Sequence, residues 1–324
     1  MKSAGTKTMT DTKPQFAQRT KVVAPKDCDT IIAIDVANIA HRSYYGNKEL
    51  KTLDGRESGH VYGSIKSILY YLGIAPGKKI CLTFAYEGEN SKQYRQAVVP
   101  GYKANRGEDR FRPTDDVEHL FRNIPGFHVK SPDMEGDDVL AWAAWNARHS
   151  EKDLIILSSD KDLWALMDDR IKIFSPYLER FVTQEDVWEQ YMLTDPKKIY
   201  LAKAIFGDSS DNIKGVYRLL KKQVIGVIDL PDVTDIDTFR DFASRDPNCK
   251  ANSLQKIDAV IPDLKKNLSI IVPNLKQEPK WFYTTNEPKN REQLEADLKS
   301  WDCYSLIDDM SGPVQANLNT LFDG

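Results

Sequence analysis

The chain has 324 residues, of which 41% are hydrophobic and 29% are charged, a composition typical of a globular protein. This length accommodates one large or two moderate domains. No apolar run reaches the ~18–20 residues that cross a bilayer, so we expect no membrane partner. The four cysteines are far apart and show no zinc-site or disulfide spacing, which favours a reducing, cytoplasmic compartment. A formal net charge of −3 argues at first against nucleic acid as a partner.

A polar N-terminal segment precedes an alternating pattern of strands and helices. Residues 1–29 carry few large apolar side chains and predict a mobile tail, with a short edge strand near residues 21–24 as the alternative. From residue 30 to about 176 the alternation predicts an α/β fold with a mostly parallel sheet. The predicted strands are Thr30–Asp35, Ile80–Tyr86, Phe127–Lys130, Leu154–Ser158 and Ile171–Ser175. The predicted helices between them include His60–Gly73, Thr114–Asn123 and Glu135–His149.

The chain beyond residue 182 has helical character. Thr183 is followed by an acidic residue at the third position, which is typical of a helix start. Asp195, followed by proline, marks a second start. Further helices are predicted at Lys197–Phe206 and Arg291–Ser300. These signals predict a helical subdomain within residues 183–324, and its part from residue 230 onward suggests no function of its own.

Acidic residues follow four of the predicted strands. The carboxyl ends of parallel strands lie at one edge of a sheet, where ligands bind, and an acidic stretch in the helical region can join them there. Any one of these acids, taken alone, is better explained by a helix cap or a turn. The nine candidates are Asp35, Glu87, Glu135, Asp137, Asp138, Asp160, Asp162, Asp208 and Asp211.

Nine carboxylates in one region would repel one another unless cations separate them. Ligands that are all oxygen favour Mg²⁺ or Mn²⁺ over zinc. Without these nine charges the formal net charge of −3 becomes +6, which suits a polyanionic substrate. Several carboxylates around two metal ions suit the hydrolysis of phosphodiesters.

A basic and aromatic segment lies between the second and third predicted strands. Its cations can contact phosphates and its rings can stack on bases, although a solvated basic loop is an equally good reading of the segment alone. Its position beside the acidic edge favours a function. The candidates are Arg95, Tyr102, Lys103, Arg106, Arg110 and Arg112.

Five stretches occur together in a recognisable order: IIAIDVAN at 31–38, YKANR at 102–106, MEGDDV at 134–139, SSDKD at 158–162 and GDSSDNIKGV at 207–216. Together they resemble the 5′-nuclease superfamily, which comprises flap endonucleases and 5′→3′ exonucleases. The superfamily includes the N-terminal nuclease domains of bacterial DNA polymerases. The resemblance is closest to stand-alone phage-type enzymes and covers roughly residues 30–220.

The resemblance implies a PIN-like nuclease domain at residues 30–182 with a helical arch at about 90–125. It implies a C-terminal helical DNA-binding subdomain and extension over residues 183–324. It further implies two Mg²⁺ ions, for which Mn²⁺ can substitute, and assigns Lys103 and Arg106 to the scissile phosphate as catalytic residues. The first ion would be held by Asp35, Glu87, Glu135, Asp137 and Asp138, and the second by Asp160, Asp162, Asp208 and Asp211.

Two departures from the family pattern affect these assignments. Glu87 stands where the family usually has the shorter Asp. The glycine-rich hairpin that often holds a monovalent cation in relatives is replaced by Tyr217–Lys222, which argues against a K⁺ site. The basic residues of this region are candidates for DNA contact, or form an exposed helix face. They are Lys214, Arg218, Lys221 and Lys222.

These observations predict a Mg²⁺-dependent 5′-nuclease that cuts phosphodiester bonds near the 5′ end of branched or primer-containing DNA by two-metal-ion attack of water. The substrate would be DNA with a 5′ flap or 5′ end, or an RNA–DNA hybrid, in replication or repair. A polymerase, a helicase or a single-strand-binding protein would be a partner. The alternatives are a PIN-type ribonuclease or other metal-dependent phosphohydrolase, and a non-catalytic DNA-binding replication factor.

Overall fold

The computed structural model describes residues 20–105, 112–275, 278–285, 287–308 and 318–322. The strands in these ranges are β1 (Lys21–Val22), β2 (Thr30–Asp35), β3 (Lys79–Ala85), β4 (Gly126–Val129), β5 (Asp153–Leu157), β6 (Ile171–Ser175), β7 (Arg180–Phe181), β8 (Gly207–Asp208), β9 (Ile213–Lys214) and β10 (Trp281–Thr284).

The helices are of α and 3₁₀ type. The α-helices in the described ranges are α1 (Val36–Gly46), α2 (Gly59–Tyr71), α3 (Gln93–Val98), α4 (Pro113–Phe121), α5 (Gly136–His149), α6 (Gln184–Tyr191), α7 (Ile199–Phe206), α8 (Lys221–Ile228), α9 (Ile236–Ala243), α10 (Ala251–Asp258), α11 (Ile261–Ile271), α12 (Pro288–Ser300), α13 (Tyr304–Asp308) and α14 (Leu318–Phe322). The 3₁₀ turns are Pro25–Asp27, Leu72–Ile74, Lys161–Leu166 and Pro196–Lys198.

The central sheet has the strand order β10-β4-β3-β2-β5-β6-β7, and β1 pairs with the start of β3. The neighbours from β4 to β6 are parallel, whereas the outer strands β10 and β7 pair antiparallel. Strands β2, β3 and β5 are almost continuously apolar and buried, as expected for parallel strands covered on both faces. The predicted α/β fold with a mostly parallel sheet is confirmed.

The helices cover both faces of this sheet. Successive side chains of a strand point to opposite faces, so Ala33 contributes to one core and Ile32 and Ile34 to the other. Helices α5 to α11 pack into the first core, and helices α1, α2, α4 and α12 pack into the second. The predicted strands all occur within one residue of their expected ends. None of the helices in the described ranges has the length and apolarity of a membrane span.

Part of the predicted N-terminal tail is folded. Strand β1 lies beside β3, and the Thr20 hydroxyl donates to the carbonyls of Leu72 and Ala75 at 3.0 Å. The Lys152 ammonium donates to the carbonyls of Pro25 and Cys28 at 3.0 and 2.7 Å. The prediction of a mobile tail is therefore wrong for residues 20–29, and residues 1–19 lie outside the described part of the chain.

The C-terminal segment returns to the sheet instead of extending the helical subdomain. Strand β10 pairs with β4 in register Phe282↔His128, and helix α12 buries Leu294 and Leu298 in the second core. Leucines four residues apart lie on one helix face, which explains this docking. The described residues of 281–322 therefore pack with the sheet domain, and the predicted domain boundary at residue 182 stays a prediction.

Truncation of Leu294 tests this docking, because the side chain has no exposed surface. We expect Leu294→Ala to lower the free energy of unfolding by about 2–5 kcal/mol, since it removes buried apolar surface and leaves a cavity. Urea denaturation measures the effect. The exposed Glu292→Ala on the same helix is the control and should change the value by less than ~0.5 kcal/mol. An equally small effect at Leu294 would contradict the packing of α12.

Candidate active site

The carboxyl ends of β2 and β5 bring two of the predicted acids together. Asp35 ends β2 and caps α1, where its Oδ1 accepts from the Asn38 amide at 3.0 Å. The Ser158 hydroxyl donates to Asp35 Oδ2 at 2.7 Å and accepts from the Asp160 amide at 3.0 Å. Ser158 therefore links the two strand ends and fixes Asp35 and Asp160 at one edge, as the parallel topology predicts.

Burial and mutual repulsion act on this group of acids. Burial, together with the charges of Asp160 and Glu87, raises the pKa of Asp35 to about 6. Burial also raises the pKa of Asp137 well above its ordinary value, and the charges of Asp160 and Asp35 add to the effect. Shifts in this direction show that the ionised forms are destabilised. The structure therefore brings Asp35, Glu87, Asp137 and Asp160 within electrostatic reach of one another.

Glu87 reaches the site through a close backbone approach. A side chain on Gly88 would lie 1.9 Å from the Ser131 carbonyl oxygen, so only glycine lets this segment pack against the segment that leads into α5. The side chain of Glu87 is 43% exposed and accepts from the Ser91 hydroxyl at 3.0 Å. The longer acid is thus placed at the rim of the group.

A second group of acids is assembled by the β8–β9 hairpin. Gly207 has φ +82°, and a Cβ on it would lie 2.5 Å from the Gly215 nitrogen, so the two short strands can approach only with glycine here. The hairpin carries Asp208 and Asp211 toward Asp162, and these three carboxylates each offer an oxygen within 4.8 Å of the others. Burial, with the charge of Asp160, raises the pKa of Asp162 to about 6.

A lysine that the sequence analysis did not single out lies within the second group. Lys203 on α7 forms ion pairs with Asp162 and Asp208, the second at 2.5 Å between Nζ and Oδ2. Burial opposes its charge, but the two carboxylates outweigh burial and raise the pKa of Lys203. The available signal was a lone cation in the otherwise apolar helix IYLAKAIF, just before the acidic hairpin.

Lys103, in the segment predicted to form the arch, contacts both groups of acids. The Lys103 ammonium donates to Glu135 Oε2 at 2.8 Å, and the Lys103 amide donates to the Asp211 carbonyl at 2.9 Å. The backbone of Lys103 has φ +52°, a strained conformation for a residue with a side chain. Such strain persists only where the surroundings enforce it. Lys103 is therefore held between the acids of the sheet edge and those of the hairpin.

Two residues predicted to contact DNA are buried. Arg95 is 4% exposed and Tyr102 is 2% exposed. Arg95 donates to both oxygens of Asp138, at 2.8 and 2.6 Å, and Tyr102 donates to Glu135 Oε2 at 2.9 Å. These contacts direct both side chains into the protein, so the structure does not present them to DNA, and their assignment as DNA-binding residues stays a prediction.

The carboxylate of Asp138 is saturated with hydrogen bonds from the protein. It is fully buried, and its two oxygens accept from both Arg95 nitrogens, from the Glu135 amide at 3.0 Å and from the Asn274 amide at 2.8 Å. A carboxylate offers about four lone-pair positions, and four donors occupy them. These contacts give Asp138 a structural role here, and its assignment to the first ion stays a prediction.

The remaining predicted residues that the structure describes lie on the surface. Arg112 precedes α4 and is exposed, and Arg106 and Arg110 lie outside the described residues. The Arg218 guanidinium covers the ring of Tyr217, which is 71% exposed, at 4.9 Å. The exposed cations around the β8–β9 hairpin and the start of α8 are Lys214, Arg218, Lys221 and Lys222.

The donor set at this edge fits a hard divalent cation. Glu135 Oε1 is buried and has no hydrogen-bond partner, which is costly for an anionic oxygen. Oxygen ligands of this kind suit Mg²⁺ or Mn²⁺. The buried orphan oxygen and the raised pKa values of neighbouring acids both indicate a site built to receive a cation.

The family model described as the 5′-3′ exonuclease, N-terminal resolvase-like domain, matches residues 30–192, which is just over half of the chain. These residues include most of the carboxylates described above. The chain is therefore a nuclease-family protein. It belongs to the 5′-3′ exonuclease family, and the interpretation drawn from its motifs is confirmed.

Curated relatives carry this domain in proteins of different length. The 5′-3′ exonuclease of Buchnera aphidicola subsp. Schizaphis graminum is 28% identical over 193 residues, covering 58% of this chain and 66% of that protein. The thermostable DNA polymerase I of Thermus thermophilus is 28% identical over 243 residues. That match covers 74% of this chain but only 28% of the polymerase.

Solved structures share the fold. T5 5′-exonuclease, solved with divalent metal ions (zinc), matches with a TM-score of 0.56 at 21% identity, covering 75% of this chain and 89% of that chain. A bacteriophage T5 flap endonuclease, solved with DNA and metal ions, gives 0.56 at 20% identity over 75% and 88%. These similarities confirm the PIN-like fold.

Removal of the Lys203 charge tests its role as an internal counter-ion. We expect Lys203→Met to lower the free energy of unfolding in chelator by about 1–3 kcal/mol, because Asp162 and Asp208 lose their shared cation and hydrogen-bond donor. Added Mn²⁺ should then raise the melting temperature of the variant more than that of the wild type. The exposed Lys161→Met is the control. Equal Mn²⁺ responses in all three proteins would contradict this role.

The raised pKa of Asp35 predicts a pH dependence of stability. Because folding raises this pKa from 3.8 to about 6, the folded protein binds more protons than the unfolded chain between these values. The contribution of protonated Asp35 to the free energy of unfolding is complete below pH 3.8 and is lost as the pH rises through about 6. In chelator, the free energy of unfolding of the wild type should fall by roughly 2–3 kcal/mol relative to that of Asp35→Asn as the pH rises from below the lower pKa to above the higher one.

Urea unfolding at a series of pH values measures the difference between the two proteins. Saturating Mg²⁺ should reduce the loss, since a bound cation favours the ionised carboxylate. Parallel stability curves for the wild type and the Asp35→Asn variant in chelator would show that the pKa of Asp35 is not raised.

Proposed function

We propose that this chain is a Mg²⁺-dependent 5′-nuclease that hydrolyses phosphodiester bonds near the 5′ end of branched or primer-containing DNA. The observation that supports this most strongly is the position of Lys103, which contacts Glu135 through its side chain and Asp211 through its backbone. A lysine held between the two groups of acids would allow a phosphate bound to it to lie close to ions in both groups. Membership of the 5′-3′ exonuclease family supports the reaction class.

The acids divide into two proposed ion sites, and Mn²⁺ would substitute for Mg²⁺ in both. When bound, the ions would supply Lewis acidity and favour deprotonation of the attacking water. Asp160 lies between the two groups, since its charge acts on both Asp35 and Asp162. The first site would be formed by Asp35, Glu87, Glu135, Asp137 and Asp160. The second would be formed by Asp162, Asp208 and Asp211, with a share of Asp160.

The basic residues of the chain would bind the substrate. Lys103 would transfer its hydrogen bond from Glu135 to the scissile phosphate and stabilise the charge that develops there, with Arg106 nearby in the sequence. Exposed Arg112 would contact DNA from the start of α4. The surface cations Lys214, Arg218, Lys221 and Lys222 would follow the phosphates of a duplex beside the hairpin.

The biological setting is proposed from the relatives. Similarity to Thermus DNA polymerase I suggests that the chain acts on 5′ ends left during replication or repair, including RNA–DNA hybrids, alongside a polymerase, helicase or single-strand-binding protein. The four cysteines are free and buried, which supports a reducing, cytoplasmic location.

Cleavage of a 5′-labelled flap DNA tests the proposed function. We expect cleavage near the 5′ end with Mg²⁺ and none in chelator. Asp160→Ala should lower the rate by about 100-fold or more, because it removes a carboxylate shared by both groups, while flap binding stays within a few-fold. Exposed Asp169→Ala, in the turn before β6, is the control and should cut at the wild-type rate.

The products separate the proposal from its alternatives. Wild-type cleavage by Asp160→Ala would exclude the proposed metal sites. Faster cleavage of single-stranded RNA than of flap DNA would indicate a ribonuclease. Flap binding without metal-dependent turnover would indicate a non-catalytic DNA-binding factor.

A further inference from the structure

A buried ion pair lies behind the candidate active site. Arg95 on α3 and Asp138 in the first turn of α5 have side chains that are 5% and 1% exposed. The guanidinium donates to both Asp138 oxygens, and its Nε donates to the Ile270 carbonyl at 2.8 Å. A two-pronged contact fixes the orientation of both planar groups, which a single hydrogen bond does not.

The pair joins three parts of the chain that are distant in sequence. Arg95 precedes Lys103 by eight residues, Asp138 closes the capping box of α5 with Glu135, and Ile270 lies near the end of α11. The Asn274 amide, beyond α11, also donates to Asp138 at 2.8 Å. Helix α3, the first turn of α5 and the end of α11 are therefore joined by one buried charge pair.

Packing on both sides of the pair restricts the same elements. Tyr102 and Ile270 are buried in one small apolar cluster with Ile213 of β9. Arg95 Nη1 also lies 3.6 Å from Glu135 Oε2, the oxygen that accepts from Lys103. A shift of the guanidinium would therefore disturb Glu135 and Lys103 together.

We propose that Arg95 is a positioning residue of the nuclease site. It holds the first turn of α5, and with it Glu135 and Asp137, in a fixed relation to Lys103. It does so by binding Asp138 and the end of α11 at once. Arg95 thus acts through its neighbours and does not contact DNA. This inference rests on the proposed function, and part of its test is independent of activity.

Kinetics on flap DNA separate positioning from DNA contact. We expect Arg95→Met to lower kcat by about 10–100-fold, as found when groups that orient ligands are removed, while KM and flap affinity in chelator change less than about threefold. Arg95→Lys keeps the charge but lacks the fork, so its kcat should lie between those of the wild type and Arg95→Met. A raised KM with unchanged kcat would overturn the proposal.

Arg112→Met is the reference for direct phosphate contact. It should weaken flap binding and lower the slope of log affinity against log salt by about 1. Arg95→Met should leave that slope at the wild-type value. The same slope change in both variants would show that Arg95 contacts DNA, against the proposal.

A double variant covers the case in which Arg95→Met alone fails to fold. Arg95→Met with Asp138→Leu removes both buried charges, and such replacements are often tolerated. We expect a melting temperature near that of the wild type, with kcat still reduced. Full recovery of kcat would show that Arg95 merely neutralises Asp138. A folded double variant with the kcat of the wild type would therefore contradict the positioning role of Arg95.

Mn²⁺ binding to the free protein, followed by electron paramagnetic resonance, separates this inference from the proposed function. We expect Arg95→Met, or the double variant if the single one is unfolded, to bind Mn²⁺ several-fold more weakly than the wild type, because Glu135 and Asp137 lose their fixed placement. If the wild type does not cut flap DNA, the proposed function fails and this readout alone decides. Unchanged Mn²⁺ affinity would overturn the positioning role.

Discussion

The cost of holding several carboxylates together away from water governs the edge of the sheet where β2 and β5 end. Burial raises the pKa of Asp35 and Asp162 to about 6, whereas the pKa of an aspartic acid side chain in water is about 4. Parallel strands make this convergence unavoidable, because all their carboxyl ends lie on one side. The surrounding structure then has to supply positive charge, by its own side chains or by bound cations.

The positive charge that the chain supplies is divided unequally among these acids. Asp138 receives two guanidinium hydrogen bonds and two amide donors, so it behaves as a structural acid. Asp208 shares Lys203 with Asp162, and Glu135 has one oxygen bound to Lys103 and the other without a partner. The acids thus range from Asp138, whose two oxygens are fully hydrogen-bonded, to Glu135, which keeps one buried oxygen without a partner.

The sequence predicts local elements well and long-range partners poorly. The run IIAID predicts both β2 and the acid that ends it, since apolar β-branched residues favour a buried strand and Asp favours a cap. Nothing near Arg95 shows that it points inward, because its partner Asp138 lies 43 residues away. Strand β10 likewise reads as a short aromatic segment, and its pairing with β4 across more than a hundred residues is a tertiary property.

Arginine and lysine neutralise the acids of this site in different ways, one fixed and the other exchangeable. Arg95 is held by a fork on Asp138 and by the Ile270 carbonyl, so releasing it would leave several buried groups unsatisfied at once. An ammonium is a point charge on a flexible stem and can turn from one oxygen to another. Under the proposed function, Lys103 and Lys203 would therefore release their carboxylates to an incoming ion or phosphate, whereas Arg95 would stay in place and preserve the geometry that this exchange requires.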